Sequence, residues 1–338
     1  MISEPVFFER NRVGRVYSGG KLFADFFGDE AKDGFLPEEW IASQVKAINK
    51  KMSDKYEGIS KIKDSNVYFD ELLKNHSDEM LGKKGKMRIL VKILDSAVRL
   101  PAQAHPDKIF SRKYFNSEYG KTESWIILGT RPGAKIYFGF KDGVDEKMFS
   151  EAIDASISDK NAMEHLMKYV EPKVGDVFLV PAKTIHAIGA GCLILEVQEP
   201  TDFTIQPEHW CADYKLDDSE MYVGLSKTEA MECFSFDKAP NPKIIPTTVF
   251  ESSGVKVESL IKPENTDCFV INRITVSNGE YIINTKESYG VYIVTDGHGK
   301  LNGKKYCKTI KKGDYFFMPA SLMGKFSFTG NLEVVECF

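Results

Sequence analysis

The segment VGDVFLVPAKTIH, ending at His186, is echoed late in the chain by KGDYFFMPASLMG, ending at Gly324. Both run Gly-Asp, four mostly apolar residues and Pro-Ala, and the spacing from Gly175 to His186 equals that from Gly313 to Gly324. A Gly-Asp pair turns the chain, a short apolar run makes a strand, and Pro-Ala turns it back. That pattern is the hairpin of a small double-sheet barrel, and two copies imply two barrels related by duplication. The second copy has Gly324 where the first has His186, so only the first can offer a ligand there.

The rest of the chain fits a mainly β fold with added helices. RILVKILD (88–95), SWIILGT (124–130), AKIYFGF (134–140), DVFLV (176–180) and CLILEVQ (192–198) read as strands, rich in β-branched and aromatic residues. From about Pro240 the chain is nearly all strand and turn: FVINRITV and YGVYIVTD alternate, with SNGE, DGHG and LNGKK as turns. Helical spacing appears in DELLKNHSDEML (70–81) and most fully over 145–170, an amphipathic stretch that reads as a helical insertion. The expected organisation is a first domain over 1–240, carrying the helices, and a second over 241–338.

The 338 residues carry a formal net charge of -4 with the signs mixed, so no surface is expected for nucleic acid or for a membrane. No apolar stretch is long enough to span a bilayer. Cys192, Cys211, Cys233, Cys268, Cys307 and Cys337 form no CxxC pair and sit in apolar or strand-like surroundings. They read as reduced thiols, and the expected location is the cytoplasm.

Four donors fall together in the first half. Gln103 and His105 are two apart in RLPAQAHPDK, and residues so spaced in a strand share a face. Glu123 opens a strand in GKTESW, and His186 ends the first hairpin. A single histidine on an apolar strand is ordinarily a core residue; two, with a carboxylate and an amide in one region, point to a metal. Nitrogen and oxygen donors without thiolate suit Zn2+, Mn2+ or Fe2+, with Zn2+ the usual occupant of His/Glu sites open to substrate.

RLPAQAHPDK, YGKTESW and VPAKTIHAIGAG, followed by LEVQEPTDF, resemble the type I phosphomannose isomerases in their short bacterial form. The similarity is clear over residues 10 to 235, including PEEW at Trp40, and a degenerate second repeat covers the remainder. It implies two cupin (jelly-roll) barrels, the second degenerate, and one Zn2+ per chain held by Gln103, His105, Glu123 and His186. It implies interconversion of mannose 6-phosphate and fructose 6-phosphate, or of a related sugar, through an enediol, by a monomer or small homo-oligomer. Lys121 would supply positive charge to the sugar or its phosphate, Glu196 acid/base work, Asp202 a substrate contact, and Gln206 a catalytic and substrate contact.

Three positions depart from the family. Pro101 stands where Ser is usual, Gln206 where Arg is usual, and Ala212 where a basic residue is common. A neutral amide cannot replace a bidentate guanidinium on an anion. Either other cations, Lys108, Lys121 or Lys183, hold the phosphate, or the sugar differs and is unphosphorylated, with Gln206, Glu208 and His209 bonding hydroxyls. A cupin that binds metal and sugar without turnover is the further alternative.

Overall fold

The computed structural model describes residues 2–50, 54–286 and 288–338. Two large antiparallel sheets dominate it, as the strand pattern requires. The first, of seven strands, runs Lys243–Ile244, Val177–Val180, Glu123–Thr130, Cys192–Gln198, Leu90–Ser96, Glu38–Ile41 and Arg12–Val13. The second, of eight, is built from Thr247–Ser252 onward and takes in Val6–Phe7, which pairs with Tyr315–Met318. Each sheet thus holds one short strand from the other's part of the sequence.

Alternation decides what each face of the first sheet buries. Val91 and Ile93 on one strand, with Leu195 and Val197 on the next, join Val291, Ile293, Phe317 and Val335 of the second sheet in one core. The residues between them, Leu94 and Ile194, pack on the other face with Trp125, Phe138 and Ile188. Phe138 and Ile188 come from a three-stranded sheet, Met167–Val170, Ile136–Phe140 and His186–Ile188, which covers that face.

The two Gly-Asp segments turn alike, but neither is the expected hairpin: Val177–Val180 pairs with Glu123–Thr130 and Lys243–Ile244, and Tyr315–Met318 with Val6–Phe7 and Gly290–Gly303, because partners distant in sequence take both edges of each strand. Gly175 and Gly313 have φ of 89° and 88°, and the strands Val177–Val180 and Tyr315–Met318 each begin two residues later. LNGKK turns as expected, but SNGE and DGHG do not end strands. They lie inside Ile271–Ile282 and Gly290–Gly303, where the register shifts between Ser277 and Gly279 and between Val294 and Asp296. Asn278, at φ 57°, is absorbed as a bulge because the neighbouring strand continues past it, and Gly297, at φ 72°, stays paired opposite Leu332 beyond the irregularity at Thr295.

The helical expectations hold in part. DELLKNHSDEML forms two helices, Phe69–Asn75 and Ser77–Leu81, broken at His76. Apart from one 3-10 turn at Glu164–Leu166, the stretch 145–170 is α-helical only over Glu146–Ala155, where Asp145 accepts from the Met148 N–H at 2.8 Å and Phe149, Ala152 and Ile153 are buried. Beyond it Ser156 bonds the Ile153 carbonyl and Asp159 accepts from the Asn161 N–H, local bonds that compete with helix. Met167–Val170 then pairs as a strand with Ile136–Phe140. All six cysteines are free thiols. Among the described residues no helix is long and apolar enough to cross a membrane.

Candidate metal centre and active-site cavity

Four neighbouring strands of the seven-stranded sheet aim charged side chains to one face. Lys92 lies opposite Glu196 on one side and Trp40 on the other, and Glu38, two residues before Trp40, shares its face. Gln198, two after Glu196, lies opposite Glu123. The strand ILVKILD therefore buries both faces, but one of them carries a lysine.

The remaining donors come from the covering layer. His186 opens its strand opposite Phe138. Gln103 and His186 exchange both backbone hydrogen bonds at 2.9 Å, and Ala104 does the same with Ile205, so the segment from Gln103 to His105 is pinned on both sides. Asp107 then caps the helix Lys108–Phe115 by accepting from the Phe110 N–H at 2.7 Å.

These elements bring three donors to one point. His105 Nε2 is 3.1 Å from Glu123 Oε2, His186 Nε2 is 3.3 Å from Glu123 Oε1, and the two Nε2 atoms are 3.2 Å apart. All three residues are buried. His105 Nδ1 lies 3.0 Å from the Phe203 carbonyl, and His186 Nδ1 lies 2.8 Å from that of Thr184. A carbonyl only accepts, so each Nδ1 carries the hydrogen and each Nε2 presents a lone pair inward.

Burial, then the Lys121 charge, holds the His105 pKa down at about 3, and burial lowers that of His186 as well. Burial opposes ionisation of Glu123, but the Lys121 ammonium beside it favours the charged form and holds its carboxyl below the usual range. Two inward lone pairs beside a carboxylate, whose Oε2 lacks a hydrogen-bond donor, repel one another unless a cation joins them. The three residues fit a divalent ion.

Glu123 of this cluster lines a cavity of about 260 Å³. Gln103, Lys121, Glu196, Asp202 and Gln206 all line it. Lys121 Nζ is 3.1 Å from His105 Nε2 and 3.6 Å from Glu123 Oε2, and burial lowers its pKa. Glu196 is 4 % exposed and its Oε1 accepts no hydrogen bond; Lys92 Nζ is 3.7 Å away. Burial, opposed by Lys92 and reinforced by Glu123, raises its pKa to about 7. Asp202 has both oxygens engaged by Arg15 and accepts from the Ile48 N–H at 2.7 Å. Gln206 donates through Nε2 to the Glu220 carbonyl at 3.1 Å.

Other expected contributors lie elsewhere. Pro101 lines the cavity, but Ala212 is an exposed residue of the turn between Trp210–Cys211 and Tyr214–Lys215. Lys108 pairs with Asp267 on the surface, and Lys183 is outside the cavity wall. Glu208 is buried against Arg99, 2.6 Å away, and the Ala102 N–H, while His209 bonds Ser156 Oγ at 2.9 Å. Neither faces the cavity, because the Arg99 pair and the Ser156 contact turn both side chains away from it. Three cavity residues went unread in the sequence: Arg15, Glu38 and Lys92, joined by contacts of 2.9 Å (Arg15 to Glu38) and 3.9 Å (Lys92 to Glu38). The signal for Lys92 is a lysine inside an otherwise apolar strand.

No family model matches the chain. The mannose-6-phosphate isomerase ManA of Bacillus subtilis (strain 168) is 27% identical over 340 residues, covering 99% of each chain. The mannose-6-phosphate isomerase of Streptococcus mutans is 26% identical over 338 residues, covering 99% of this chain and 98% of its own. Among solved structures, the mannose 6-phosphate isomerase of Bacillus subtilis superposes with a TM-score of 0.78 at 23% identity, covering 99% of this chain and 100% of that one. The apo form of the Salmonella typhimurium enzyme gives 0.75 at 15% identity, covering 100% and 99%. The chain is thus similar over its full length, in sequence and in fold, to proteins of the mannose-6-phosphate isomerase family.

Proposed function

We propose that the chain is a Zn2+-dependent aldose–ketose isomerase acting on mannose 6-phosphate and fructose 6-phosphate or on a related sugar. One observation carries the reading. The donors His105, Glu123 and His186 converge, and Glu123 lines a cavity together with Glu196, a buried carboxyl with no hydrogen-bond donor on one oxygen. His105, Glu123 and His186, with the amide of Gln103, would hold the ion, one per chain. When bound it supplies Lewis acidity at the sugar's carbonyl oxygen.

The protein's own groups do the rest. Isomerisation moves a proton between adjacent carbons through an enediol, so one group must take it and return it. Glu196, a carboxyl on the cavity wall whose pKa burial raises to about 7 in the metal-free chain, is our candidate for that carrier. Lys121, 3.1 Å from His105 Nε2, sets a positive charge where negative charge develops on the sugar oxygens. Gln206 lines the wall as a hydroxyl partner. Asp202 acts by holding Arg15 against the site. The free thiols support a reducing compartment such as the cytoplasm.

The test is a coupled isomerase assay on Zn2+-loaded protein, with His186→Ala as control. Turnover on the order of 1 to 1000 per second, lost in the variant together with bound zinc, is the expected result. Turnover of no aldose by protein that retains its zinc would leave the non-catalytic sugar-binding reading in its place.

A further inference from the structure

The charges on the cavity wall are already matched to one another, which bears on the sugar the site accepts. Four cations line the cavity: Arg15, Lys50, Lys92 and Lys121. Arg15 lies 2.9 Å from both Asp202 and Glu38. Lys92 Nζ is 3.7 Å from Glu196 and 3.9 Å from Glu38 and from Asp202. Lys121 has Glu123. Lys50, exposed at the mouth, bonds Asp217 and is 3.7 Å from Glu220. Glu38, Glu123, Glu196, Asp202 and Glu220 all line the same wall, so five carboxylates face four cations. Among the described residues no cation of the wall is without a carboxylate partner.

A phosphate ester brings about two further negative charges and needs fixed donors that are not otherwise engaged. To capture Arg15 or Lys92 it would have to leave buried carboxylates uncompensated, which is strongly unfavourable. A bound divalent ion would draw Glu123 away from Lys121, but Lys121 Nζ lies 3.1 Å from His105 Nε2 and 3.4 Å from Thr204 Oγ1. That charge sits at the end where the reacting carbons belong. The opposite end of the sugar meets the mouth, where Ile48, Lys50 and Ser219 are exposed and Glu220 adds a negative charge. The neutral groups on the wall, Thr204, Gln206 and Ser219, suit hydroxyls.

Resting on the isomerase reading above, we propose that the substrate class of this site is an uncharged aldose and its ketose, held through hydroxyl hydrogen bonds, and not a sugar phosphate. The family's usual ester is then a poor ligand here because its phosphate meets cations already paired with buried carboxylates.

Titration calorimetry on the Zn2+-loaded chain tests this with mannitol and mannitol 6-phosphate, unreactive open-chain probes that differ by the phosphate alone. Turnover of mannose and mannose 6-phosphate is measured beside it. Mannitol is expected to bind at least about tenfold more tightly than its phosphate, equivalent to about 1.4 kcal/mol, and kcat/KM is expected to favour free mannose. Tighter binding of the phosphate, or no binding of mannitol, overturns the inference. If neither sugar is turned over while the preference for mannitol stands, the isomerase reading fails and the substrate class is upheld.

Discussion

Replacing Glu196 with Gln should make the metal-free protein more stable and the enzyme far slower, with the stability gain growing as pH rises. The ordinary glutamate pKa is 4.5, whereas that of Glu196 is raised to about 7. In the unfolded chain the proton therefore leaves first, and the folded state binds more protons through that window. Stability contributed by this group falls as pH climbs from the unfolded value to the folded one, the reverse of a salt-bridged carboxylate. The separation is worth about 1.4 kcal/mol per pH unit, so the penalty reaches about 3 kcal/mol near pH 8 and stays under about 1 kcal/mol near pH 5.

Gln resembles the protonated acid in shape, and Lys92 keeps Glu38 and Asp202 at 3.9 Å, so the amide removes the penalty without stranding the lysine. With about 2.1 cal/mol/K of unfolding entropy per residue, 3 kcal/mol corresponds to about 4 °C in Tm. Thermal unfolding of chelated wild type and Glu196→Gln at about pH 5 and pH 8 measures it. Adding Zn2+ should shrink the gain, because a nearby dication favours the carboxylate. An equal Tm difference at both pH values, or a destabilised variant near pH 8, would refute the reasoning. A gain in stability with loss of turnover is what a group kept for chemistry against its solvation preference should show.

His105→Ala and His186→Ala should each weaken Zn2+ binding by more than about a hundredfold, since loss even of an outer partner of a ligand costs 10–100-fold; metal content after dialysis, by elemental analysis, reads it. Asp202→Asn leaves the Arg15 guanidinium short of a buried partner and should cost about 3 kcal/mol in denaturant unfolding. Asp267→Asn, at the exposed pair with Lys108, should cost less than about 1 kcal/mol. Gly313→Ala places a Cβ 2.6 Å from the Phe26 carbonyl at φ +88° and should destabilise by about 1–3 kcal/mol. Gly324→Ala, with a φ of +75° and open space around it, should cost about 1 kcal/mol.

What the sequence reveals of the fold follows the range of the interaction. Strand runs such as CLILEVQ and the two Gly-Asp turns are local, and local steric preference places them, whereas the hairpin pairing expected around those turns is overridden by distant strands. The misread segments are those in which a distant partner decides. SNGE carries every residue of a turn, yet Ser277 pairs with Asn331 and Gly279 with Gly330, and the long neighbouring strand turns a break into a bulge. Lys168 to Val170 continue a helical spacing, yet Val170 is opposite Ile136, which no window of sequence contains. Helix amphipathicity and a half-buried edge strand compete there, and the sheet wins because Met167 is buried by it.

The candidate site divides the same way. The donors are legible because each lies in a short motif: Gln103 and His105 two apart in QAH, which isolated bridges and not a strand hold in place, Glu123 at a strand start, and His186 at the start of the strand that follows Pro-Ala. Arg15 and Asp202, 187 residues apart, are joined only in the folded chain, so neither can be recognised as the other's partner beforehand. Lys92 is the instructive case. Taken as one apolar run, ILVKILD hides it; taken by alternation, it marks the face where Val91 and Ile93 do not point. A lysine 2 % exposed in such a strand is tolerated only if carboxylates are delivered to it, so its presence there is itself a statement about three other strands and loops. Glu38, Glu196 and Asp202 are those carboxylates.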